Sequence, residues 1–248
     1  MSEEKMKIVA TIEARMTSSR LPGKVLMPVL GQTMLQHLVT RLEAVPSIDA
    51  IVLATTVNAA DDPLAAFAAA HGMACFRGSE DDVMQRVIDA ADSVAADVVV
   101  EITGDCPVID PQIIEQAIRM FRAHDADYVG NAQVRSYPDG MDVQVFRLET
   151  LKKSAALTHD PLDREHVTLH IRHHPEIFSH VHLVAPPELH WPTLGLTLDE
   201  RADYELLKRL IEHFAGEPLF SCLDAVSLLR NKPDWLAINE AVKRKGDA

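Results

Sequence analysis

The sequence predicts an α/β fold in which a mainly parallel (mixed) sheet is covered by helices on both faces. Short apolar runs alternate with longer amphipathic ones along the first half of the chain, which is typical of repeated strand-helix-strand units. A basic loop and an acidic tip each follow an apolar run directly. Ligands bind at the carboxyl edge of such sheets, so both features are expected in one crevice.

The predicted elements follow one another regularly as far as residue 129. The predicted strands span residues 7–12, 48–55, 73–76, 98–103 and 127–129, and the predicted helices span 33–45, 63–71, 80–95 and 111–124. Leu35, Leu38, Val39 and Leu42 recur at helical spacing in the first helix. Asp110 before Pro111 predicts an N-cap, and Ser79 with Asp82 has the spacing of a capping box.

The pattern becomes less regular from about residue 133 to residue 195. We interpret this stretch as an inserted smaller lobe within a single domain spanning residues 1–248, a length that one domain can have. Regular structure is predicted to return with a short strand at 196–198. A helix follows, with Leu207, Leu210, Ile211 and Phe214 at helical spacing.

The composition limits the classes of partner. A net charge of -13 argues against nucleic acid, whose phosphates attract basic surfaces. The start, residues 1–7, is polar, and no apolar run approaches the roughly 18 residues of a membrane span. The three cysteines are widely separated, which predicts neither a disulfide framework nor a thiolate zinc site. A cytoplasmic setting without a membrane partner is therefore expected.

The basic loop is Ala14-Arg15-Met16-Thr17-Ser18-Ser19-Arg20-Leu21-Pro22-Gly23-Lys24. Arginine grips phosphate oxygens with two donors, lysine acts as a point charge, and glycine lets backbone N–H groups approach an anion. A polyphosphate is the expected guest, and a solvated basic loop is the alternative. The spacing matches neither the Walker motif nor the dinucleotide fingerprint.

Two carboxylates are candidates for binding Mg²⁺. Asp105 follows Gly104 at the end of the run 98–103, and Asp199 follows the predicted strand 196–198. Magnesium takes one or two protein carboxylates and completes its shell with phosphate oxygens and water. The alternatives are a simple turn at Gly104-Asp105 and an N-cap at Asp199.

Four histidines form a separate cluster at helical spacing, namely His166, His170, His173 and His174. They could share one helical face and bind a transition metal, or they could form a polar surface. A third alternative is a direct substrate role for His166 or Arg164.

Taken together, these residues resemble the sugar-acid cytidylyltransferases, which include the acylneuraminate and 3-deoxy-manno-octulosonate activating enzymes. The loop 14–24 is similar to the nucleotide-binding loop of the octulosonate branch. Five further blocks look more like the branch of spore coat polysaccharide biosynthesis protein F, and they lie at 76–83, 103–107, 138–143, 165–168 and 196–199.

This resemblance implies a three-layer α/β/α nucleotidyltransferase sandwich whose inserted lobe helps to form a homodimer. It implies that Arg15, Arg20 and Lys24, in a loop with Ala14, Ser19 and Gly23, hold the phosphates of CTP. Arg77 and the segment from Ser79 to Asp82 would lie near the base and ribose. Gly104 would lie at the nucleotide, and Asp105 and Asp199 would bind Mg²⁺. Asp139, Asp142 and His166 would face the acceptor sugar.

The activity that the resemblance implies is transfer of CMP from CTP to a hydroxyl of an acidic sugar, with release of pyrophosphate, in polysaccharide biosynthesis. The catalytic residues would be Lys24, Arg15 and Asp105. The alternatives are another nucleoside triphosphate or sugar, a glycosyl transferase of similar topology, and a catalytically silent nucleotide-binding subunit. The chain departs from the common pattern at Glu13, where many relatives have proline, at Gly195, where a basic residue is frequent, and at residues 200–203.

Overall fold

A seven-stranded sheet runs through the middle of the computed structural model, which describes residues 6–244. The strands are β1 (Ile8–Glu13), β2 (Pro28–Val29), β3 (Gln32–Thr33), β4 (Ala50–Thr56), β5 (Ala74–Gly78), β6 (Val98–Thr103), β7 (Tyr128–Gly130), β8 (Gln144–Arg147) and β9 (His180–His182). The sheet order is β5-β4-β1-β6-β8-β7-β9, and β2 and β3 form a separate antiparallel pair.

The sheet is mixed, with a parallel half that carries the expected crevice. Neighbours among β5, β4, β1 and β6 are parallel, whereas β8 is antiparallel to β6 and to β7, and β7 is parallel to β9. The carboxyl ends of β1, β4 and β6 therefore meet at one edge.

Helices cover both faces of the sheet, which confirms the predicted α/β sandwich. The helices are α1 (Met34–Glu43), α2 (Asp62–Ala70), α3 (Val83–Ser93), α4 (Pro111–Ala123), α5 (Leu148–Leu157), α6 (Pro161–Glu165), α7 (Leu169–His173), α8 (Arg201–His213), α9 (Cys222–Arg230) and α10 (Pro233–Leu236). One apolar cluster joins the sheet to α1, α2, α4, α8 and α9, and a second joins it to α3, α5 and α7. In β1 the side chains alternate between the two clusters, with Ile8 in the first and Val9 in the second.

The predicted helix starts differ in how well they agree with the structure. The Asp110 carboxylate caps α4 by accepting a hydrogen bond from the Gln112 N–H at 2.8 Å, as predicted. The prediction of a helix from residue 80 is wrong, because α3 begins at Val83. Ser79 accepts from the N–H groups of residues 81 and 82 in a turn, and Asp82 is the N-cap, accepting from the Gln85 N–H at 2.9 Å.

The predicted strand at 196–198 is also wrong. Only Gly195 forms a bridge there, with Asp139. The Leu196 N–H donates to the Asp139 carbonyl at 2.7 Å, and the Leu198 N–H donates to the Asp105 carbonyl at 2.8 Å. The segment thus forms backbone hydrogen bonds with two loops instead of with a strand. These hydrogen bonds place the next residue, Asp199, close to Asp105.

Residues 133–195, predicted as an inserted lobe, supply two strands of the main sheet, β8 and β9, and the helices α5, α6 and α7. The alternative in which the four histidines share one helical face is wrong, because α6 ends at Glu165 and Val167 has a φ of 45° before α7 begins. Within residues 6–244, no group of three or more His, Cys, Asp or Glu side chains is arranged to hold a metal ion.

No helix in the described range 6–244 is long and apolar enough to cross a bilayer. Residues 1–5 of the polar start, and residues 245–248 of the predicted domain, lie outside the described range.

Candidate active site

The centre of the site is built where β1 and β6 end side by side. Glu13 and Thr103 are partners in the parallel ladder, and the Gly104 N–H donates to the Glu13 carbonyl at 2.9 Å. A Cβ atom on Gly104 would lie 2.9 Å from both the Ala14 Cβ and the Glu13 carbonyl oxygen. Glycine at 104 is therefore what allows the two loops to lie in contact.

Lys24 joins the basic loop to both candidate metal carboxylates. Its Nζ lies 2.9 Å from Asp105 Oδ2 and 3.1 Å from Asp199 Oδ1. Arg20 Nη2 lies 2.8 Å from the same Asp199 oxygen. Gly23, with a φ of 72°, turns the chain into the short 3-10 helix that begins at Lys24. The structure thus brings together four residues that the sequence predicted to share a site.

Charge pairing dominates the electrostatics of this centre. Burial acts to raise the pKa of Asp105, but the charge and hydrogen bond of Lys24, with hydrogen bonds from Thr103 and the backbone, together outweigh it and hold that pKa below its ordinary value. Burial likewise acts to lower the pKa of Lys24, and the Asp105 and Asp199 carboxylates outweigh it and raise that pKa. Both groups are therefore held in their charged forms.

Asp199 is available for this role because it does not cap the following helix. The N-cap of α8 is Glu200, which forms a capping box with Asp203. The alternative interpretation of Asp199 as a cap is wrong, and its carboxylate faces Lys24 and Arg20 instead.

The position of the Lys24 ammonium also tests whether the site fits Mg²⁺. Two carboxylates on separate loops converge on one bound cation, and oxygen donors are the ligands that Mg²⁺ takes. Two protein carboxylates leave room in the shell for phosphate oxygens and water. The residues present fit the ion, with Asp105 and Asp199 as its holders and Lys24 free to turn to the phosphates.

The basic loop offers backbone donors to an anion. Among residues 6–244, none accepts a hydrogen bond from the backbone N–H groups of positions 17 to 20, which include Ser19. The loop is anchored before this stretch, where the Met16 N–H donates to Asp61 Oδ1 at 2.6 Å, and after it, where the Gly23 N–H donates to the Met16 carbonyl at 2.9 Å. Unpaired N–H groups on an anchored loop form an anion cradle.

Glu80 lies in the segment from Ser79 to Asp82 that the resemblance places near the base and ribose, and the structure gives it a contact of its own. It accepts from Arg15 Nη1 at 3.1 Å, from the Thr17 hydroxyl at 2.9 Å and from Asn58 Nδ2 at 2.6 Å. The Thr17 hydrogen bond is the largest cause of a pKa of Glu80 below its ordinary value. Glu80 therefore links the basic loop to the loop after β4, a contact that the sequence did not predict.

The residues predicted near the base and ribose lie beside this contact. Arg77 donates to the carbonyls of Thr56 and Asn58, each at 2.8 Å, so it holds the loop that carries Asn58. Asp82 is directed toward the helices, where it caps α3 and pairs with Arg164 Nη2 at 2.5 Å. Arg164 is thereby engaged in packing α6 against α3.

The predicted acceptor residues separate into two places. Asp139 and Asp142 are neighbours: burial, followed by the Asp139 charge, raises the pKa of Asp142 to about 7. Burial also raises the pKa of Asp139, which lies 3.7 Å from Arg135 and 3.9 Å from Arg244. His166 is exposed and directly follows α6 as its C-cap.

A buried carboxyl pair underlies the centre and was also missed. Burial, followed by the charge of Glu101, raises the pKa of Glu13 well above its ordinary value. Burial raises the pKa of Glu101 as well, and Gln144 donates to Glu101. Glu13 stood out in the sequence only as a departure from the common family pattern, and Glu101 only as a glutamate inside the apolar run of β6. We infer that the pair holds a proton and so avoids two adjacent buried negative charges.

Comparisons with known proteins show the family of this chain. The Cytidylyltransferase family model matches residues 9–214. Spore coat polysaccharide biosynthesis protein SpsF of Bacillus subtilis is 33% identical over 244 residues, covering 94% of this chain and 98% of its own. A 3-deoxy-manno-octulosonate cytidylyltransferase of Pelobacter propionicus is 33% identical over 114 residues, covering 46% of this chain and 44% of its own.

Among solved structures, a cytidylyltransferase from Leptospira borgpetersenii superposes with a TM-score of 0.90 at 31% identity, covering 97% of this chain and 100% of that one. The family match spans the basic loop, Asp105 and Asp199 alike. The chain belongs to the cytidylyltransferase family and is a nucleotidyltransferase enzyme.

Proposed function

We propose that this enzyme transfers CMP from CTP to a hydroxyl of an acidic sugar of the nonulosonic or octulosonic type, with Mg²⁺ as cofactor and pyrophosphate as the second product. The observation that carries the proposal is the convergence of Asp105 and Asp199 on one cation beside an anion cradle. The names of the relatives, a polysaccharide biosynthesis protein and an octulosonate cytidylyltransferase, support a sugar acid in surface polysaccharide synthesis.

Each phosphate-binding residue has a distinct task in this reaction. The N–H groups of the loop 17–20 and the guanidinium groups of Arg15 and Arg20 bind the β- and γ-phosphates, which leave as pyrophosphate. Arg15 and Arg20 are both paired with carboxylates in this structure, so the nucleotide takes their donors from Glu80 and Asp199. Lys24 stabilises negative charge that develops on the leaving oxygen.

Mg²⁺ held by Asp105 and Asp199 would neutralise phosphate charge and favour ionisation of the acceptor hydroxyl. No side-chain nucleophile is required, because nucleotidyl transfer depends mainly on positioning and charge neutralisation. Asp139 lies near Asp199 and orients the acceptor through hydrogen bonds to its hydroxyls.

The direct test is pyrophosphate release from CTP and Mg²⁺ with a panel of nonulosonic and octulosonic acids. We expect release that depends on the acceptor, and a CMP-sugar of matching mass. Release with GTP or UTP in place of CTP would favour the alternative of another nucleoside triphosphate. CTP binding without turnover on any acceptor would favour a catalytically silent subunit.

We further propose that the enzyme works as a homodimer in the cytoplasm, without nucleic acid or membrane partners. The net charge of -13 supports the absence of a nucleic-acid partner. Light scattering of the purified chain is expected to give twice the mass of one chain, 27.4 kDa.

A further inference from the structure

A cavity of about 850 Å³ opens beside Asp139, outside the phosphate-binding centre. Trp191, Pro192, Leu236 and Val242 supply its apolar wall. Its polar groups include two guanidinium groups, those of Arg135 and Arg244. An aromatic ring beside planar charged side chains is a lining that suits a sugar acid, and the volume is in the range of small-molecule sites.

Arg244 is fixed at the inner end of this cavity. Its Nη2 lies 2.8 Å from Asp203 Oδ1, and its Nη1 donates to the Thr197 hydroxyl at 3.0 Å. Asp203 is fully buried, so this ion pair holds the guanidinium in place. Asn239 reinforces the arrangement by donating to Asp203 Oδ1 at 2.8 Å.

Gly195 provides the space that Arg244 occupies. A Cβ atom at position 195 would lie 1.9 Å from Arg244 Nη2. The φ angle of Gly195 is outside the left-handed region, so the backbone does not itself require glycine there. Glycine at 195 therefore serves the placement of the Arg244 guanidinium.

Arg244 also connects the cavity to the candidate metal centre. Its Nε lies 3.9 Å from Asp139 Oδ2, and its Nη1 lies 4.0 Å from Asp199 Oδ2. The Arg244 guanidinium therefore lies between the cavity and the Asp199 carboxylate, which would hold Mg²⁺.

Arg135 differs from Arg244 because its guanidinium N–H groups donate no hydrogen bond to any residue that the structure describes. Among the residues that the structure describes, its one ion pair is with Asp139 Oδ1 at 3.7 Å, and it makes no hydrogen bond. Its side chain is 40% exposed. An underused guanidinium at the cavity is suited to bind a carboxylate with two parallel hydrogen bonds.

We propose that this cavity is the acceptor site, that Arg135 binds the carboxylate of the acidic sugar, and that Arg244 is a positioning residue that fixes Asp139 against the acceptor hydroxyls. The proposal rests on the function proposed above and makes residues 237–244, which follow α10, part of the site.

The test combines calorimetric binding with steady-state kinetics, using 3-deoxy-manno-octulosonic acid and N-acetylneuraminic acid as probes. The variants are Arg135→Gln, Arg244→Gln and Gly195→Ala, and the matched control is Arg119→Gln, which removes an exposed arginine of α4. We expect Arg135→Gln to weaken binding of the acid and raise its KM by about 10- to 100-fold, with the KM for CTP unchanged.

Gly195→Ala displaces the Arg244 guanidinium without deleting it. We expect it to raise the acceptor KM as Arg244→Gln does. The double variant Gly195→Ala/Arg244→Gln is expected to have an acceptor KM no higher than that of either single variant, because both changes disrupt the position of the same guanidinium. A purely structural role would instead lower thermal stability without selectively raising the acceptor KM.

The outcomes separate this proposal from the function on which it rests. If neither acid binds the wild-type protein, both are overturned. If an acid binds and Arg135→Gln abolishes binding, but no turnover occurs, the assignment of the cavity as the acid-binding site stands and the proposed CMP transfer is overturned. Turnover with an acceptor KM unchanged in Arg135→Gln and Arg244→Gln overturns the cavity assignment alone.

Discussion

At the scale of single residues, Lys24 shows how the site can hold its charges before a nucleotide arrives. Its ammonium bridges Asp105 and Asp199, and with the Arg20 guanidinium, which also pairs with Asp199, it balances the two carboxylate charges without an external ion. Binding of the ion and nucleotide would replace the ammonium and release it toward the phosphates. The same three side chains thus serve both the free and the loaded site.

This arrangement predicts the effect of Asp105→Asn. The variant removes one charge from the carboxylate pair, so turnover is expected to fall by at least about a hundredfold, with a higher Mg²⁺ requirement. Pyrophosphate release over a magnesium titration measures both. Asp160→Asn is the control, since asparagine caps α6 as well as aspartate does. Near-normal turnover with unchanged magnesium dependence would remove Asp105 from the site.

A second residue-scale prediction concerns Asp142, whose pKa burial and the Asp139 charge raise to about 7. The ordinary aspartate pKa is 3.8. Between pH 3.8 and about 7, the Asp142 carboxyl is deprotonated in the unfolded chain but protonated in the folded protein. The contribution to stability is therefore complete below about pH 4 and is lost as the pH rises through 7.

Asp142→Asn removes this titration. The free energy of unfolding of the variant, relative to wild type, is expected to increase by on the order of 2 to 4 kcal/mol between pH 4 and pH 8. Urea unfolding at several pH values measures the difference, with the exposed Asp125→Asn as control. Wild-type and variant curves that stay parallel over this range would contradict the assignment.

At the scale of elements, Asp110 connects two helices with one carboxylate. Its Oδ1 caps α4, and its Oδ2 accepts from the Cys222 N–H at 2.7 Å at the start of α9. Asp110→Ala is expected to lower the free energy of unfolding by about 3 kcal/mol, since it removes a cap and leaves a buried N–H unpaired.

Urea unfolding checks this value against Asp160→Ala, which removes an exposed cap with one hydrogen bond. The exposed cap is expected to contribute about 1 kcal/mol. Equal losses for the two variants would show that the link between α4 and α9 contributes nothing.

The elements that sequence patterns predicted well are those stabilised by local signals. The helix α4 has a cap, a proline and an apolar stripe within its own sequence, and it was predicted within one residue. The start of α3 was misplaced because Ser79 and Asp82 both carry capping side chains, and only the turn that Ser79 forms decides between them. Residues 196–198 were predicted as a strand from their apolar pattern, yet their backbone partners are loops near residues 105 and 139.

At the scale of the whole molecule, the candidate site joins segments that are far apart in the chain. The Lys24, Asp105 and Asp199 side chains were predictable because each follows a recognisable apolar run or motif. Arg244 had no such signal: its role depends on the space above Gly195 and on a buried Asp203, which only the packed structure brings together. Arg20 Nη1 also donates to the carbonyl of Lys243 at 3.0 Å, which links the basic loop to the last of the described residues.

Because the site draws on so many segments, nucleotide binding is expected to stabilise the whole fold rather than one loop. CTP with Mg²⁺ at a hundred times its Kd would add about 2.7 kcal/mol to the free energy of unfolding. For a chain of 248 residues this corresponds to a rise in Tm of roughly 5–10 °C. CTP alone is expected to give a much smaller rise, since a bare triphosphate that takes Lys24 and Arg20 leaves the charges of Asp105 and Asp199 unpaired beside it. Thermal denaturation with CTP, Mg²⁺ or both measures this, and Asp105→Asn should lose the magnesium-dependent part of the shift. An equal rise in Tm with CTP alone would contradict a metal-bridged nucleotide, because the loop cations would then suffice to hold it.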